Sequence, residues 1–266
     1  MFDSIAGDYD SLNHILSLDV DKIWRKKALK QIVDAPAPAR VLDLACGTGD
    51  FSIAIAKALS RSHKRVGTPI EAHAKAPAKA PVEAQVTSTG FVTGDSGRSD
   101  LMTKGHVTGV DLSEGMLAVM REKVAKAGLT EMISIEEGDG ENLRFPDNTF
   151  DRVTIAFGIR NFEDRPKGLR EMLRVLKPGG RLVILELSRP ENKIIRWFYD
   201  LYFHHILPKV GGKVSGDKAA YAYLPASVAA FPGKKAFMAT MREAGFRAVT
   251  HKAFTLGICR MYTGEK

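Results

Sequence analysis

Short apolar runs alternate with longer amphipathic segments along most of the chain. Five of these runs predict strands: Arg40–Leu44, His106–Leu112, Ile133–Asp139, Phe150–Gly158 and Arg181–Leu187. The segments between and after them predict helices: Phe51–Leu59, Glu114–Ala127, Pro166–Leu176 and Pro232–Ala244. Two closing strands, Ala248–Ala253 and Ile258–Thr263, are too close in sequence for a helical crossover and predict an antiparallel hairpin. We therefore expect an α/β fold: a mostly parallel seven-stranded sheet, covered on both faces, with that hairpin at one edge.

Three segments interrupt this alternation without indicating a second domain, so we treat 1–266 as a single domain. Residues 1–39 predict a helical N-terminal cap, in which apolar and basic faces alternate. Residues 61–105 are rich in Ala, Pro, Lys, Ser and Gly without a lasting period, which predicts a low-complexity, disordered insertion. Residues 190–230 predict a helical insertion that serves as a lid on the substrate side.

The composition is that of a globular domain, with 44% hydrophobic and 26% charged residues. Two cysteines, Cys46 and Cys259, are too few for a disulfide framework and favour a reducing cytosol. The longest apolar runs are too short to span a bilayer, and the first residues lack the regions of a signal peptide. The net charge of +8 leaves an anionic membrane face and simple solubility open. Neither zinc-finger spacing nor an aromatic RNA-binding signature is present, so we predict no metal site and no nucleic-acid partner.

The first strand runs into a glycine turn, "VLDLACGTGDFS", of the kind that binds nucleotide-like cofactors. Gly47 and Gly49 match a dinucleotide fingerprint, but Ser52 stands where that fingerprint has its third glycine. Asp50 would place a carboxylate at the helix start, where it would repel a pyrophosphate, and Asp43 adds another before the turn. These carboxylates favour a ligand with a cationic amino-acid tail, such as S-adenosylmethionine. A nicotinamide dinucleotide and a plain strand-to-helix turn are the alternatives.

Acidic residues at the ends of the next two strands support a nucleoside ligand. Asp111 follows Gly47 by 64 residues, or by 19 once the 45 residues of 61–105 are set aside. That spacing is close to the ~20 residues expected of an acid that binds ribose hydroxyls. Asp139 ends the third strand, where its carboxylate can accept the adenine amino group, and Gly140 would leave room for the ring. A solvated surface role for Asp111 is the alternative.

Five segments carry a resemblance to a known family: "FDSIAGDYDSLNHILSLDVDKIWR", "DLACGTGDFS", "FPDNTFDRVTIAFGIRNFED", "LRVLKPGGRLVILELSRP" and "YAYLPASVAAFPGKKAFMATMREAGF". Together they resemble the ubiquinone/menaquinone C-methyltransferase family, one of the class I S-adenosylmethionine-dependent methyltransferases with a Rossmann-like fold. "FGIRN" and the "NH…SL…WR" segment are more specific than the glycine loop, which class I methyltransferases share in some form. The resemblance covers nearly the whole chain outside about 61–105.

The resemblance implies transfer of a methyl group from S-adenosylmethionine to a ring carbon of a prenylated quinol. Overall likeness favours demethylmenaquinol, giving menaquinol, over a benzoquinol of the ubiquinone pathway. The cofactor contacts of the family carry over to Thr48, Asp111 and the pair Asp139–Gly140. Two positions depart from the usual pattern: Ala156 stands where some members have serine, and Gly140 replaces a commoner alanine.

Arg160, in "FGIRN", is the predicted catalytic residue because it follows the fourth predicted strand and faces the crevice. Arginine stays protonated, so it would stabilise a phenolate or hold a hydroxide-like water rather than act as an ordinary base. The alternative is a structural salt bridge to Glu163 or Asp164. His14 is a candidate general base.

The aromatic segment Ile194–Leu207 is the expected site for the prenyl tail or for contact with a membrane interface. A core-facing amphipathic helix is the alternative. We expect a cytoplasmic protein, peripheral at the inner membrane face, and a homodimer is compatible with the sequence. Two other functions stay open: methylation of a different small-molecule acceptor, and binding of S-adenosylmethionine or a quinone without turnover.

Overall fold

The computed structural model describes residues 19–35, 39–66, 105–202 and 218–266. The predicted N-terminal cap is therefore described only in part, and His14 lies outside the described residues. Most of the predicted insertion, 67–104, and the segment 203–217 of the predicted lid lie outside them as well.

Seven strands form one sheet in the order β3-β2-β1-β4-β5-β7-β6. The strands are β1 Arg40–Leu44, β2 His106–Asp111, β3 Ile133–Glu137, β4 Phe150–Ala156, β5 Leu176–Leu187, β6 Arg247–Phe254 and β7 Cys259–Glu265. The first five strands pair in parallel, and β7 pairs antiparallel with both β5 and β6. The predicted α/β fold class is confirmed. Within the C-terminal hairpin, β7 lies between β5 and the edge strand β6.

The helices in the described part of the chain lie between and beside these strands: α1 Val20–Ile32, α2 Asp50–Val66, α3 Glu114–Lys126, α4 Arg165–Val175, α5 Lys193–Leu201, α6 Lys218–Ala230 and α7 Lys234–Glu243. A short 3₁₀ helix, Ile159–Asn161, follows β4. None of the helices in these ranges is long and apolar enough to cross a membrane.

The segment 177–180, "KPGG", separates the predicted helix Pro166–Leu176 from the predicted strand Arg181–Leu187, and it lies inside strand β5. Helix α4 ends at Val175, and the chain enters β5 at Leu176 without a separate loop. The register then slips: Phe150 pairs with Leu176, but Arg152 pairs with Arg181. The extra residues of β5 bulge there, with Gly179 at φ +74°. The segment therefore follows the helix directly and introduces a bulge into the strand.

Apolar side chains cover both faces of the sheet, as expected for parallel strands. Along β1, Val41 belongs to one buried cluster while Leu42 and Leu44 belong to the other. Along β5, Val183 and Ile184 divide in the same way. Because β1 lies between β2 and β4, the chain crosses over in opposite directions from this strand, and the crevice for a ligand opens beyond its carboxyl end.

Helix α1 is anchored at the same edge of the sheet. The Trp24 ring is buried, and its Nε1–H donates to the Thr255 hydroxyl at 2.8 Å. The ring centroids of Trp24 and Phe157, which follows β4, lie 6.2 Å apart. Part of the predicted cap thus packs against the carboxyl ends of the strands.

Candidate active site

The turn between β1 and α2 adopts a backbone conformation that favours glycine. Gly47 has φ +56° and Gly49 has φ +82°, both in the left-handed region. A Cβ on Gly49 would lie 2.4 Å from the Met120 side chain, so close packing also requires glycine at this position. The turn can therefore pass close to helix α3 and leave the crevice open.

Asp111 connects this turn to the end of β2. Its Oδ2 accepts a hydrogen bond from the Gly47 N–H at 2.8 Å, and its Oδ1 accepts one from the Ser113 N–H at 2.9 Å. The two bonds hold the carboxylate at the wall of a cavity of about 350 Å³. A carboxylate is a hydrogen-bond acceptor, which suits the hydroxyls of a ribose.

The walls of this cavity come from the ends of β1 to β4: Ala45, Gly47, Asp111, Leu112, Met116, Gly138, Asp139, Gly140, Glu141, Ala156, Phe157, Gly158, Asn161, Phe162 and Glu163. Asp139 accepts a hydrogen bond from the Glu141 N–H at 2.8 Å, which orients its carboxylate. Gly140 lines the cavity, and its expected role in leaving room for the nucleobase stays a prediction. A Cβ there would lie 2.5 Å from the Phe162 ring, because that ring fills the space.

A smaller cavity of about 50 Å³ adjoins the first and shares four wall residues with it. Its walls are Arg25, Asp43, Ala45, Cys46, Gly47, Thr48, Asp50, Phe51, Ala156 and Phe157. The predicted residues Asp43, Gly47 and Thr48 therefore lie together at this cavity, and Asp111, Asp139 and Gly140 lie at the larger one. Gly49 shapes the turn without lining either wall.

Asp43 is the most buried carboxylate of the site, with a relative exposure of 1%. Burial raises its pKa to about 7, and the hydrogen bond from Ser52 and the charge of Arg25 oppose that shift. The Ser52 hydroxyl donates to Asp43 Oδ2 at 2.6 Å. Ser52, at the position of the missing third glycine, therefore has a local role as the donor to this carboxylate.

Asp50 is engaged by two cations of the protein itself. It pairs with Arg25 at 3.3 Å and with Lys123. Its carboxylate was expected to meet a cationic tail of the ligand. Neutralisation by Arg25 and Lys123 weakens that attraction and leaves Asp43 as the carboxylate of this cavity with the least compensation.

Arg160 lies behind the wall of the larger cavity, with 7% of its side chain exposed. Its Nη1 donates to Glu186 Oε1 at 2.9 Å and to the Phe157 carbonyl, and its Nε donates to the Ser227 hydroxyl at 3.3 Å. The alternative prediction of a structural salt bridge is confirmed, but its predicted partner is wrong. Arg160 pairs with Glu186 rather than with Glu163 or Asp164. The catalytic role of Arg160 stays a prediction.

Sequence reasoning missed several residues of the site. Arg25 and Phe162 line the cavities, although neither was a candidate. Asn161 also lines the larger cavity and accepts a hydrogen bond from the Tyr223 hydroxyl at 2.9 Å. The "WR" and "FGIRNFED" segments contain Arg25, Asn161 and Phe162, so their specificity to the family was the available signal. No cluster of potential metal ligands occurs among the residues that the structure describes.

The position of Phe162 yields a prediction about two glycines. A Cβ on Gly140 or on Gly168 would lie 2.5 Å from its ring, although only Gly140 lines the cavity. Gly140→Ala and Gly168→Ala should each displace the ring, which lines the cavity, and weaken binding of S-adenosylmethionine about tenfold by isothermal titration calorimetry. Gly233→Ala, where a Cβ meets nothing within 4 Å, is the matched control. Unchanged affinity in both variants would show that the ring has room to move elsewhere.

The buried Asp43 carboxyl yields a prediction about stability and pH. In the folded protein, the pKa of Asp43 is raised to about 7, whereas in the unfolded chain it has its ordinary value near 3.8. Between these two pH values, the folded protein therefore retains a proton that the unfolded chain has released. The stability contributed by this group is therefore lost as the pH rises towards 7. Asp43→Asn cannot titrate, so its stability relative to the wild type should rise by about 2–3 kcal/mol from pH 5 to pH 8. Urea denaturation without cofactor measures this, and a difference independent of pH contradicts it.

Comparisons with known proteins agree with this fold and site. The model of the ubiE/COQ5 methyltransferase family matches residues 1–266. Demethylmenaquinone methyltransferase of Bacteroides fragilis is 39% identical over 266 residues, which is 100% of this chain and 91% of the relative. Ubiquinone/menaquinone biosynthesis C-methyltransferase UbiE of Geobacter sulfurreducens is 43% identical over the same residues, which cover 87% of that relative.

Solved structures share the fold at low identity. A SAM-dependent methyltransferase from Aquifex aeolicus aligns with a TM-score of 0.54 at 19% identity, over 90% of this chain and 88% of that one. A putative S-adenosyl-L-methionine-dependent methyltransferase from Methanococcus maripaludis aligns with a TM-score of 0.59 at 17% identity, over 100% of this chain and 94% of that one. Family and fold together imply S-adenosylmethionine as the cofactor. The chain belongs to the ubiE/COQ5 methyltransferase family.

Proposed function

We propose that this chain transfers a methyl group from S-adenosylmethionine to a ring carbon of a prenylated quinol, converting demethylmenaquinol to menaquinol. The observation that carries the proposal is the whole-chain likeness to relatives named demethylmenaquinone methyltransferase, at 37–41% identity. The larger cavity, with Asp111 at its wall, suits a nucleoside, and the smaller one suits a charged amino-acid tail. The residues present thus fit this cofactor.

When bound, S-adenosylmethionine supplies an electrophilic methyl group on a sulfonium. The main task of the protein is to align that methyl group with the acceptor carbon, which can supply about 7–11 kcal/mol. Ala45, Gly47, Ala156 and Phe157 line both cavities and therefore mark the junction between the nucleoside and amino-acid ends. Phe157 is held there with φ +63°, which is costly for an aromatic residue.

Arg160 supports this junction from behind. It donates to the Phe157 carbonyl, while the Phe157 N–H donates to Leu185 O at 2.7 Å. Glu186, fully buried, accepts from the Arg160 N–H at 3.1 Å as well as from its guanidinium. Within the proposed reaction, Arg160 therefore acts as a positioning residue that holds Phe157 and the 159–161 turn.

The acceptor is tested with purified protein, S-adenosylmethionine and reduced quinols under anaerobic conditions, with product mass as the readout. We expect one added methyl group on demethylmenaquinol and none on the corresponding benzoquinol. Methylation of both would extend the function to the ubiquinone pathway, consistent with the name of the Geobacter relative. Methylation of neither, with cofactor binding confirmed, would exclude the quinol assignment and favour another acceptor or binding without turnover.

Variants of Arg160 extend the same assay. Arg160→Gln leaves Glu186 buried without its partner, so kcat should fall at least tenfold while the Kd of S-adenosylmethionine changes little. Arg160→Lys keeps the charge and should recover part of kcat. Loss of cofactor affinity equal to the loss of kcat would instead indicate a general structural role.

We also propose that helix α5 contacts an anionic membrane surface. Ile194, Trp197 and Phe198 are 69%, 61% and 59% exposed, whereas Tyr199 on the opposite side of the helix is buried. Of these four residues, only Tyr199 faces the core, as the alternative of a core-facing amphipathic helix would require. Exposed aromatic and aliphatic side chains next to Lys193 and Arg196 are typical of helices that lie in a membrane interface.

Flotation with vesicles of phosphatidylcholine and phosphatidylglycerol tests this contact. The wild type should float with the vesicles, and Trp197→Ala/Phe198→Ala should stay in the soluble fraction. Ile23→Ala removes an exposed hydrophobic residue from another helix and is the matched control. The membrane proposal fails if the wild type and the double variant distribute equally.

A further inference from the structure

We propose that Arg25, on the N-terminal helix α1, binds the α-carboxylate of S-adenosylmethionine. This role depends on the cofactor of the proposed function and not on the identity of its acceptor. Arg25 belongs to the wall of the smaller cavity, beside Asp43, Thr48 and Asp50. It would make helix α1 part of the cofactor site rather than a cover beside it.

The charges of the cavity walls select Arg25. Six carboxylates line the two cavities: Asp43, Asp50, Asp111, Asp139, Glu141 and Glu163. Among the described wall residues, Arg25 alone carries a positive side chain. S-adenosylmethionine has two cationic groups and one anionic group, its α-carboxylate. A carboxylate placed anywhere else along these walls would meet acidic side chains with no basic side chain on the described wall beside it.

The geometry leaves the Arg25 guanidinium able to donate to a ligand. Its Nη2 lies 3.0 Å from Asp21 Oδ2, and its Nη1 donates to Asp50 Oδ2 at 3.3 Å. Its Nε is buried without a hydrogen-bond partner among the described residues. The side chain is 17% exposed, so part of the guanidinium reaches the cavity. Of its five N–H groups, the two carboxylates leave several for a bidentate contact.

Neighbouring residues hold this guanidinium in place. The adjacent Trp24 anchors helix α1 through its hydrogen bond to Thr255. The Arg25 guanidinium carbon lies 5.8 Å from the centroid of the Phe157 ring, at the junction of the two cavities. Arg25 is therefore fixed at the amino-acid end of the site before a ligand arrives, which lowers the entropic cost of binding.

The other candidate groups are less suited to an anion. The N-terminus of helix α2 begins with Asp50, whose carboxylate already complements the positive end of the helix dipole. Lys123 pairs with Asp50, and its Nζ also lies 3.2 Å from the Thr48 hydroxyl, but it does not line either cavity. Lys123 thus neutralises Asp50 from outside, while Arg25 remains on the wall.

The test compares S-adenosylmethionine with its decarboxylated form, which lacks only the proposed partner of Arg25. Binding is measured by isothermal titration calorimetry with no quinol present, so the outcome is independent of the acceptor. The wild type should bind S-adenosylmethionine about 10- to 100-fold more tightly than the decarboxylated form. Arg25→Gln should lose this preference by weakening only the first ligand, and Arg25→Lys should retain part of it.

Lys123→Gln is the matched control, because it removes the other cation paired with Asp50. It should change the affinity of both ligands by the same factor and leave the preference intact. Thermal unfolding checks that each variant is folded. If Arg25→Gln does not fold, the preference for S-adenosylmethionine over its decarboxylated form is still compared between the wild type and Arg25→Lys. Equal affinity of the wild type for the two ligands, or equal weakening of both in the Arg25 variants, overturns the assignment.

Discussion

The hydrogen bond between the Gly47 N–H and the Asp111 carboxylate joins the ends of two adjacent strands, and the cofactor cleft depends on it. The glycine turn that follows β1 lies in the left-handed region, which frees its N–H groups from the sheet. Asp111, at the end of β2, accepts one of them and also accepts from Ser113 at the start of α3. One carboxylate thus fixes the turn, the strand end and the helix start around a single cavity.

The electrostatics of the site follow from how each carboxylate is compensated. Asp111 and Asp139 accept backbone hydrogen bonds at the larger cavity. Asp50 is paired with Arg25 and Lys123, whereas Asp43 is buried with a serine donor and a pKa raised to about 7. A cationic ligand would favour the ionised form of Asp43, so cofactor binding and its protonation are coupled. Among the described residues, the wall of the smaller cavity has one cationic side chain, Arg25, so this wall carries both negative and positive charge.

A second constraint lies behind the cleft. Burying the Arg160–Glu186 ion pair costs desolvation, which the hydrogen bonds to Phe157, Ser227 and the backbone offset. The pair holds Phe157 in a costly backbone conformation at the junction of the two cavities. A rigid wall of this kind suits a reaction in which alignment supplies much of the acceleration.

Local sequence determined much of this protein: the strands, the glycine turn and the acids at the strand ends are short-range patterns, and the family segments predicted the methyltransferase fold and cofactor. Asp111 also reaches Gly47 despite the predicted 45-residue interruption, because most of those residues lie in sequence between the end of helix α2 at Val66 and the start of β2 at His106. Only the tertiary structure decided the partners. Glu186 rather than a neighbouring acid pairs with Arg160, Phe162 fills the space beside Gly140 and Gly168, and Arg25 reaches the cleft from an N-terminal helix. These contacts join residues far apart in sequence, so no local period or spacing encodes them; they follow from which strand ends and helices the sheet order brings together.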